Sequence, residues 1–169
     1  MPPVIELPKG VLGVVEASDL PNVLAAGDSV VIDVRSDEER ADGYLAGSLH
    51  IPSEQWDLRG GFHDSARSLV ESVADGSKRL IFHCMYSSQR GPRAARAALE
   101  FNPDLRVAVL RGGFQKALTL MWEQDTQPPM LEGVRRNRWA HDPREGLVWG
   151  PEYDPMKYPT FAGDEPLDQ

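Results

Sequence analysis

A single cysteine in 169 residues excludes an intrachain disulfide and any cysteine-rich metal site. The four histidines are scattered and show no ligand spacing, so no metal or other cofactor is expected. There is no run of about 18 apolar residues and no signal-peptide pattern, so neither a membrane span nor a membrane partner is expected. Positive charge is also scarce. Lys and Arg number 18 against 26 Asp and Glu, and the net charge of -8 argues against nucleic acid as a partner. An anionic substrate would have to be drawn in by a local field against the global one. Arg90, Arg93 and Arg96, spaced by three, could supply that field, although a solvated helix face explains the last two equally well.

The lone cysteine stands in His83-Cys84-Met85-Tyr86-Ser87-Ser88-Gln89-Arg90-Gly91-Pro92. A strand-like apolar run, Arg79 to Phe82, precedes it, and a strong helix former, Arg93 to Leu99, follows. The sulfur therefore belongs on a short loop between a strand end and a helix start. A helix start presents unpaired N–H groups and the positive end of the dipole, which together make an anion site. That setting favours the thiolate, the nucleophilic form. Arg90 adds a permanent planar cation suited to two oxygens of an oxyanion. Met85, Tyr86, Ser87, Ser88, Gln89 and Gly91 would form the oxyanion-binding loop. The bland alternative is a buried structural cysteine. The flanking Ser, Gln and Arg residues speak against it.

Elsewhere the chain alternates strand and helix signals. Residues 29–34 read as a buried strand, and Ser36 with Glu39 as a capping box behind it. A short helix runs from Ser18 to a stop at Gly27, and another from Asp64 to Ala74 before Gly76. Strands are expected at 48–51, 80–83 and 105–110, and helices at 92–101 and 114–122. This pattern predicts an α/β fold with a mostly parallel central sheet flanked by helices. Ligands of such sheets bind beyond the strand carboxyl ends, so Asp33 and Cys84 should share one edge. The expected organisation is an N-terminal arm (1–13), a catalytic domain (14–123) and an irregular extension (124–169). The extension holds seven of the 14 prolines, with Trp139, Trp149, Tyr153, Tyr158 and Phe161. Its aromatics favour packing on the domain over disorder. A partner-docking strap around Arg135 to Trp139 is the alternative.

The loop from His83 to Pro92 resembles the active-site loop of the M-phase inducer phosphatases, dual-specificity enzymes on a rhodanese fold. It is similar also to the His-Cys, five-residue, Arg-Gly-Pro loop of eukaryotic rhodanese-fold arsenate reductases. Val31 to Arg35 with Gly43 to Ser48, and Val109 to Phe114, resemble two further rhodanese segments in the family order. The resemblance covers about residues 14–123 and implies a rhodanese-like domain.

It also implies a chemistry. Cys84 would attack phosphorus in line, form a phosphocysteine and be released by water. The loop amides and Arg90 would hold the equatorial oxygens. Sulfurtransferases of this family typically carry a loop one residue shorter, which ranks a phosphatase above sulfur transfer. Asp33 would orient the loop or Arg90. Arg35 is expected at the surface or bracing a loop. His83 should point away from the pocket and make a structural hydrogen bond, and Ser87 or Ser88 could give a hydroxyl to the sulfur. Where the M-phase inducer phosphatases have Glu before the loop arginine, this chain has Gln89, which gives no proton. Asp37, Glu38, Glu39, Asp142 and Glu145 are the other candidates for a general acid. The substrate would be a phosphorylated small molecule or protein. Arsenate is nearly isosteric, and with one cysteine its reduction would need glutathione or glutaredoxin. Sulfur transfer and a phospho-binding module without turnover complete the alternatives. A reactive thiol fits the cytoplasm or nucleus.

Overall fold

The structure is a computed structural model that describes residues 9–122 and 130–150 and the backbone of 160–161. Five parallel strands form the central sheet: β1 (Leu12–Val15), β2 (Ser29–Asp33), β4 (Leu49–His50), β5 (Arg79–His83) and β6 (Arg106–Leu110). Their order is β1-β6-β5-β2-β4. β5 is therefore central, and all five of its residues are buried. That double-sided burial explains the continuous apolar runs of the inner strands.

Side chains alternate between two cores. Val31, Ile81 and Ala108, partners across the sheet, join the core beneath α1 (Leu20–Ala25) and α5 (Gly113–Met121). Ile32, Phe82 and Val109 join the opposite core with α3 (Asp64–Ser72) and α4 (Arg90–Phe101). α4 meets the sheet through Gly91, Ala94, Ala95 and Ala98, small residues that let helix and strand approach closely. A Cβ at Gly91 would lie 3.2 Å from the Cys84 nitrogen. The remaining helix, α2 (Asp37–Arg40), is a single turn. Its Ser36–Glu39 capping box is present in both halves.

Several boundaries differ from the sequence reading. α4 begins at Arg90, two residues before Pro92, so the loop arginine itself opens the helix. β1 begins at Leu12, inside the expected arm, whose residues 1–8 lie outside the described residues. Ser18 falls in a 3-10 turn, Ala17–Asp19, rather than capping α1. α3 ends at Ser72, short of Ala74; His63 holds its amino-terminal cap position, and the side chain of Gln55 accepts the Ser65 N–H at 3.1 Å.

The extension is more regular than its composition implied. β3 (Tyr44–Leu45) pairs antiparallel with β7 (Leu131–Glu132). β8 (Trp139–Asp142) and β9 (Gly146–Trp149) form a hairpin, joined on the β8 side by β10 (Thr160–Phe161). Strands of two to four residues are too short to leave a period in the sequence. Trp139 is fully enclosed and Trp149 is buried, both in the α5 core. Tyr153, Tyr158 and the Phe161 side chain lie outside the described residues.

Candidate active site

The sheet delivers Cys84 and Asp33 to the same edge, one residue beyond β5 and at the end of β2. Asp33 pairs in register with His83. After Cys84 the chain turns sharply. Ser87 takes a left-handed φ of 54°, unusual for a residue other than glycine. That turn aims the Ser87 backbone N–H at the Cys84 sulfur, 3.1 Å away. Ser87 thus meets the sulfur through its peptide N–H, while its hydroxyl has no partner among the described residues. The N–H groups of Ser88 and Gln89 have no hydrogen-bond acceptor among the described residues.

The loop is gripped from behind by α5. The N–H groups of Phe114 and Gln115 donate to the carbonyls of Cys84 and Met85, at 3.0 and 2.9 Å. Gly113 makes this approach feasible: its φ is +62°, and a Cβ there would lie 2.6 Å from the Met85 carbonyl oxygen. The cysteine is 3% exposed as a residue, while Ser88, Gln89 and Arg90 open onto a groove of about 920 Å³. Arg59, Arg93 and Arg96 line that groove, with Glu54, Asp57 and Glu100 interspersed.

Arg90 is oriented by a residue the sequence offered as a capping-box partner and as a general acid. Glu39, nearly buried, receives both arginine Nη groups in a bidentate pair, at 2.6 and 2.8 Å. Its Oε1 also accepts the Ser36 N–H and hydroxyl, each at 3.0 Å. Burial pushes the Glu39 carboxyl up, but the bonds from Arg90 and Ser36 outweigh it and hold it below its usual value. Glu39 is therefore ionised at neutral pH and has no proton to give. The capping box was legible, but its link to Arg90 spans 51 positions and leaves no local signal.

Asp33 needs the opposite correction. It was expected to orient the loop or Arg90, yet its oxygens are committed to other arginines. Arg35 grips it through Nε and Nη2 at 2.9 and 2.8 Å, and Arg40 donates to Oδ2 at 3.0 Å. Burial raises its carboxyl, the neighbouring His83 and Arg35 lower it, and the lowering wins by a wide margin. Arg35 is no surface residue. It is fully buried, stacks on Phe114 at 4.1 Å and donates to the Gly43 carbonyl at 2.8 Å. His83 is fully buried. Its Nδ1 lies 3.1 Å from the carbonyl oxygen of Cys84, the next residue. Burial keeps its imidazole below its ordinary pKa and hence neutral.

The other general-acid candidates lie elsewhere. Asp37 is 95% exposed and faces His50. Asp142 accepts the Arg144 N–H, and Glu145 meets Gln115 through its carbonyl. No cluster of three metal-ligating side chains exists among the described residues, and no described helix is long and apolar enough to cross a membrane.

The fold and site define an α/β domain whose central strand presents a cysteine loop capped by a carboxylate-held arginine. A family model, the rhodanese-like domain, matches residues 16–119, and the chain belongs to that family. It is similar to the "Dual specificity phosphatase Cdc25" of Arabidopsis thaliana, 34% identical over 105 residues, 58% of this chain. The match spans 64% of that relative, less than two thirds of its length. It is also 30% identical to "Arsenate reductase 2.2" of Oryza sativa subsp. japonica, over 68% of this chain and 84% of that one. Among solved structures it resembles a yeast protein tyrosine phosphatase of the rhodanese family. There the TM-score is 0.58 and the identity 25%, over 74% of this chain and 96% of that one.

Proposed function

We propose that the chain is a cysteine-dependent phosphatase acting on aryl phosphates, phosphotyrosine among them. The observation that carries this reading is the Cys84 sulfur under an inward-facing peptide N–H, six positions before an arginine fixed in place by Glu39. The Cys84 thiolate attacks phosphorus, the S–P bond forms and the P–O bond to the leaving group breaks. Water then cleaves the phosphocysteine, giving phosphate and the free thiolate. Arg90, held by Glu39, helps to bind the equatorial oxygens, with the loop N–H groups as partners. The phosphatase-named relatives support this reading.

The absence of an acidic residue at position 89, with Glu39 ionised, shapes the substrate class. A positioned acid is worth about 10²–10⁴-fold. Without one, a phenolate departs far more readily than a serine or threonine alkoxide. The exposed arginines of the adjoining groove supply the local field that the net charge of -8 does not. A thiol of this kind works in a reducing compartment, the cytoplasm or nucleus.

The same feature favours arsenate reduction as a second reading. Attack of Cys84 on arsenate expels oxygen as water rather than an alkoxide. An external thiol such as glutathione or glutaredoxin then forms a disulfide with Cys84, and the two electrons released reduce As(V) to arsenite. The rice relative supports this reading. Both are tested with the reduced protein. Hydrolysis of p-nitrophenyl phosphate, lost in Cys84→Ser, identifies the phosphatase. Arsenite formed only with glutathione and glutaredoxin identifies the reductase. Failure of both with fully reduced protein removes the proposal.

A further inference from the structure

We propose that residues 130–149 position the catalytic loop, and that Asp42 is the positioning residue through which they act on Arg90. The proposal rests on the reading of Cys84 and Arg90 as the oxyanion site.

Asp42 is a buried carboxylate. Its side chain is met by the extension alone among the described residues: Arg138 Nε donates to Oδ2 at 3.0 Å and Trp149 Nε1 at 2.9 Å, with Arg135 3.9 Å from Oδ1. The backbone carbonyl of Asp42 also accepts the Trp139 indole N–H at 3.1 Å and the Arg135 N–H at 3.3 Å. Four residues of the extension thus converge on one residue of the domain. Closing a buried carboxylate in this way is costly unless every partner is held in place.

Asp42 lies three residues after Glu39, in the turn that ends α2. The Asp42 N–H donates to the Glu39 carbonyl at 3.3 Å, and the Gly43 N–H to that of Arg40 at 3.1 Å. A single-turn helix has little stability of its own. Its amino end is fixed by Ser36, and its carboxyl end by what holds Asp42. Glu39 projects from that turn to grip Arg90. The pairing of β3 with β7 extends the clasp to Leu45, and the Ala46 N–H donates to the Met130 carbonyl at 2.9 Å.

A second line of contacts reaches the same loop. Gln115 Nε2 donates to the Glu145 carbonyl, and Thr119 Oγ1 accepts the Leu147 N–H at 3.0 Å. The hairpin is thereby seated on α5, whose first N–H groups hold the Cys84 and Met85 carbonyls. The extension thus reaches the loop from two sides, through the α2 turn to Arg90 and through α5 to the Cys84 backbone.

The test uses the full chain and sodium tungstate, a tetrahedral dianion that the thiol does not consume. Asp42→Asn keeps the shape and removes the charge. Tungstate affinity is expected to weaken about ten-fold, the scale of a misplaced clamp. In a Glu39→Gln background the same change is expected to add less than two-fold, because the route is already cut. An unchanged affinity in Asp42→Asn overturns the proposal. So does an equal ten-fold loss in both backgrounds, which would mean general loosening. A second measurement needs no destabilised variant. Saturating tungstate should move the Trp149 indole N–H resonance of the unaltered protein, assigned by its loss in Trp149→Phe. A resonance that stays put counts against the coupling. If the unaltered protein binds no tungstate, the oxyanion reading falls and this proposal with it; binding without an Asp42 effect removes this proposal alone.

Discussion

The loop after β5 and the loop after β2 leave neighbouring parallel strands at one edge of the sheet, and they are built from opposite materials. The first presents peptide N–H groups, a thiol and a guanidinium. The second presents Asp33, Glu39 and Asp42, three carboxylates at most 4% exposed. Each carboxylate is paired with arginine: Asp33 with Arg35 and Arg40, Glu39 with Arg90, Asp42 with Arg138. The comparison separates a surface made to receive an anion from the frame that aims it. Glu39 crosses between them to reach Arg90. Its partner remains about one-third exposed, whereas the Asp33–Arg35 pair is wholly enclosed. Substitutions on the two sides should therefore be felt in different measurements.

The largest effect expected is the contrast between Glu39→Gln and Asp33→Asn. Glutamine at 39 retains one acceptor for Arg90 but loses the second charged bond, so Arg90 swings. Turnover and oxyanion affinity should fall about 10–100-fold, with a small change in melting temperature. Asparagine at 33 leaves the fully buried Arg35 short of a counter-charge. Breaking such a pair costs about 3–5 kcal/mol, so the melting temperature should drop sharply. Turnover per folded molecule should change much less than in Glu39→Gln. Steady-state kinetics beside thermal denaturation read both. If Asp33→Asn proves the more damaging to turnover per folded molecule, the division between receiving surface and frame is wrong.

This contrast marks where the sequence stopped being readable. The strands around residues 29–34, 80–83 and 105–110 were legible because a parallel sheet buried on both faces needs unbroken apolar runs. Cys84 and Arg90 were legible because the loop's strand-before, helix-after setting is local. Glu39 as the partner of Arg90 was not, because an ion pair across 51 positions obeys no period. Of the two places expected for Arg35, the surface and a loop brace, it takes the second, and its burial is made tolerable by the enclosing Asp33, Phe114 and Gly43 carbonyl. The hairpin at 139–149 was hidden by strands too short to alternate visibly, although the aromatics that bury it were noticed.

A smaller effect should come from the back of the receiving loop. Gly113→Ala places a methyl 2.6–2.7 Å from the carbonyl oxygens of Met85 and Cys84 and forces alanine to a φ of +62°. The obstruction is backbone, so it cannot rotate aside. Strain and overpacking of this kind cost about 1–3 kcal/mol. Because those carbonyls belong to the loop, tungstate affinity should weaken along with the melting temperature. Gly47→Ala is the control: its φ is +75°, but a Cβ there meets nothing within 4 Å. It should lower stability through backbone strain and leave tungstate affinity unchanged. Equal affinity loss in both would show that strain, rather than pressure on the loop, is responsible.

The smallest effect expected lies in pH dependence, and its sign follows from burial. His83 is enclosed, and desolvation lowers its pKa from 6.5, with Asp33 opposing and the nearby arginines assisting. Below about pH 6.5 the unfolded chain binds a proton at this position that the folded chain refuses. Stability contributed by the neutral imidazole is complete above that pH and declines as pH falls, by at most about 1.4 kcal/mol per pH unit. Asp33 and Glu39 are also held below their ordinary values of 3.8 and 4.5. Their contribution is present above those values and is lost as pH falls through the folded pKa. Between pH 6.5 and 5 the melting temperature of the unaltered protein should decline, and in His83→Gln the decline should be shallower. Identical slopes between pH 6.5 and 5 would mean that His83 takes up its proton in place, beside Asp33, and that the frame tolerates a charge where its geometry offers the imidazole only one hydrogen-bond partner among the described residues.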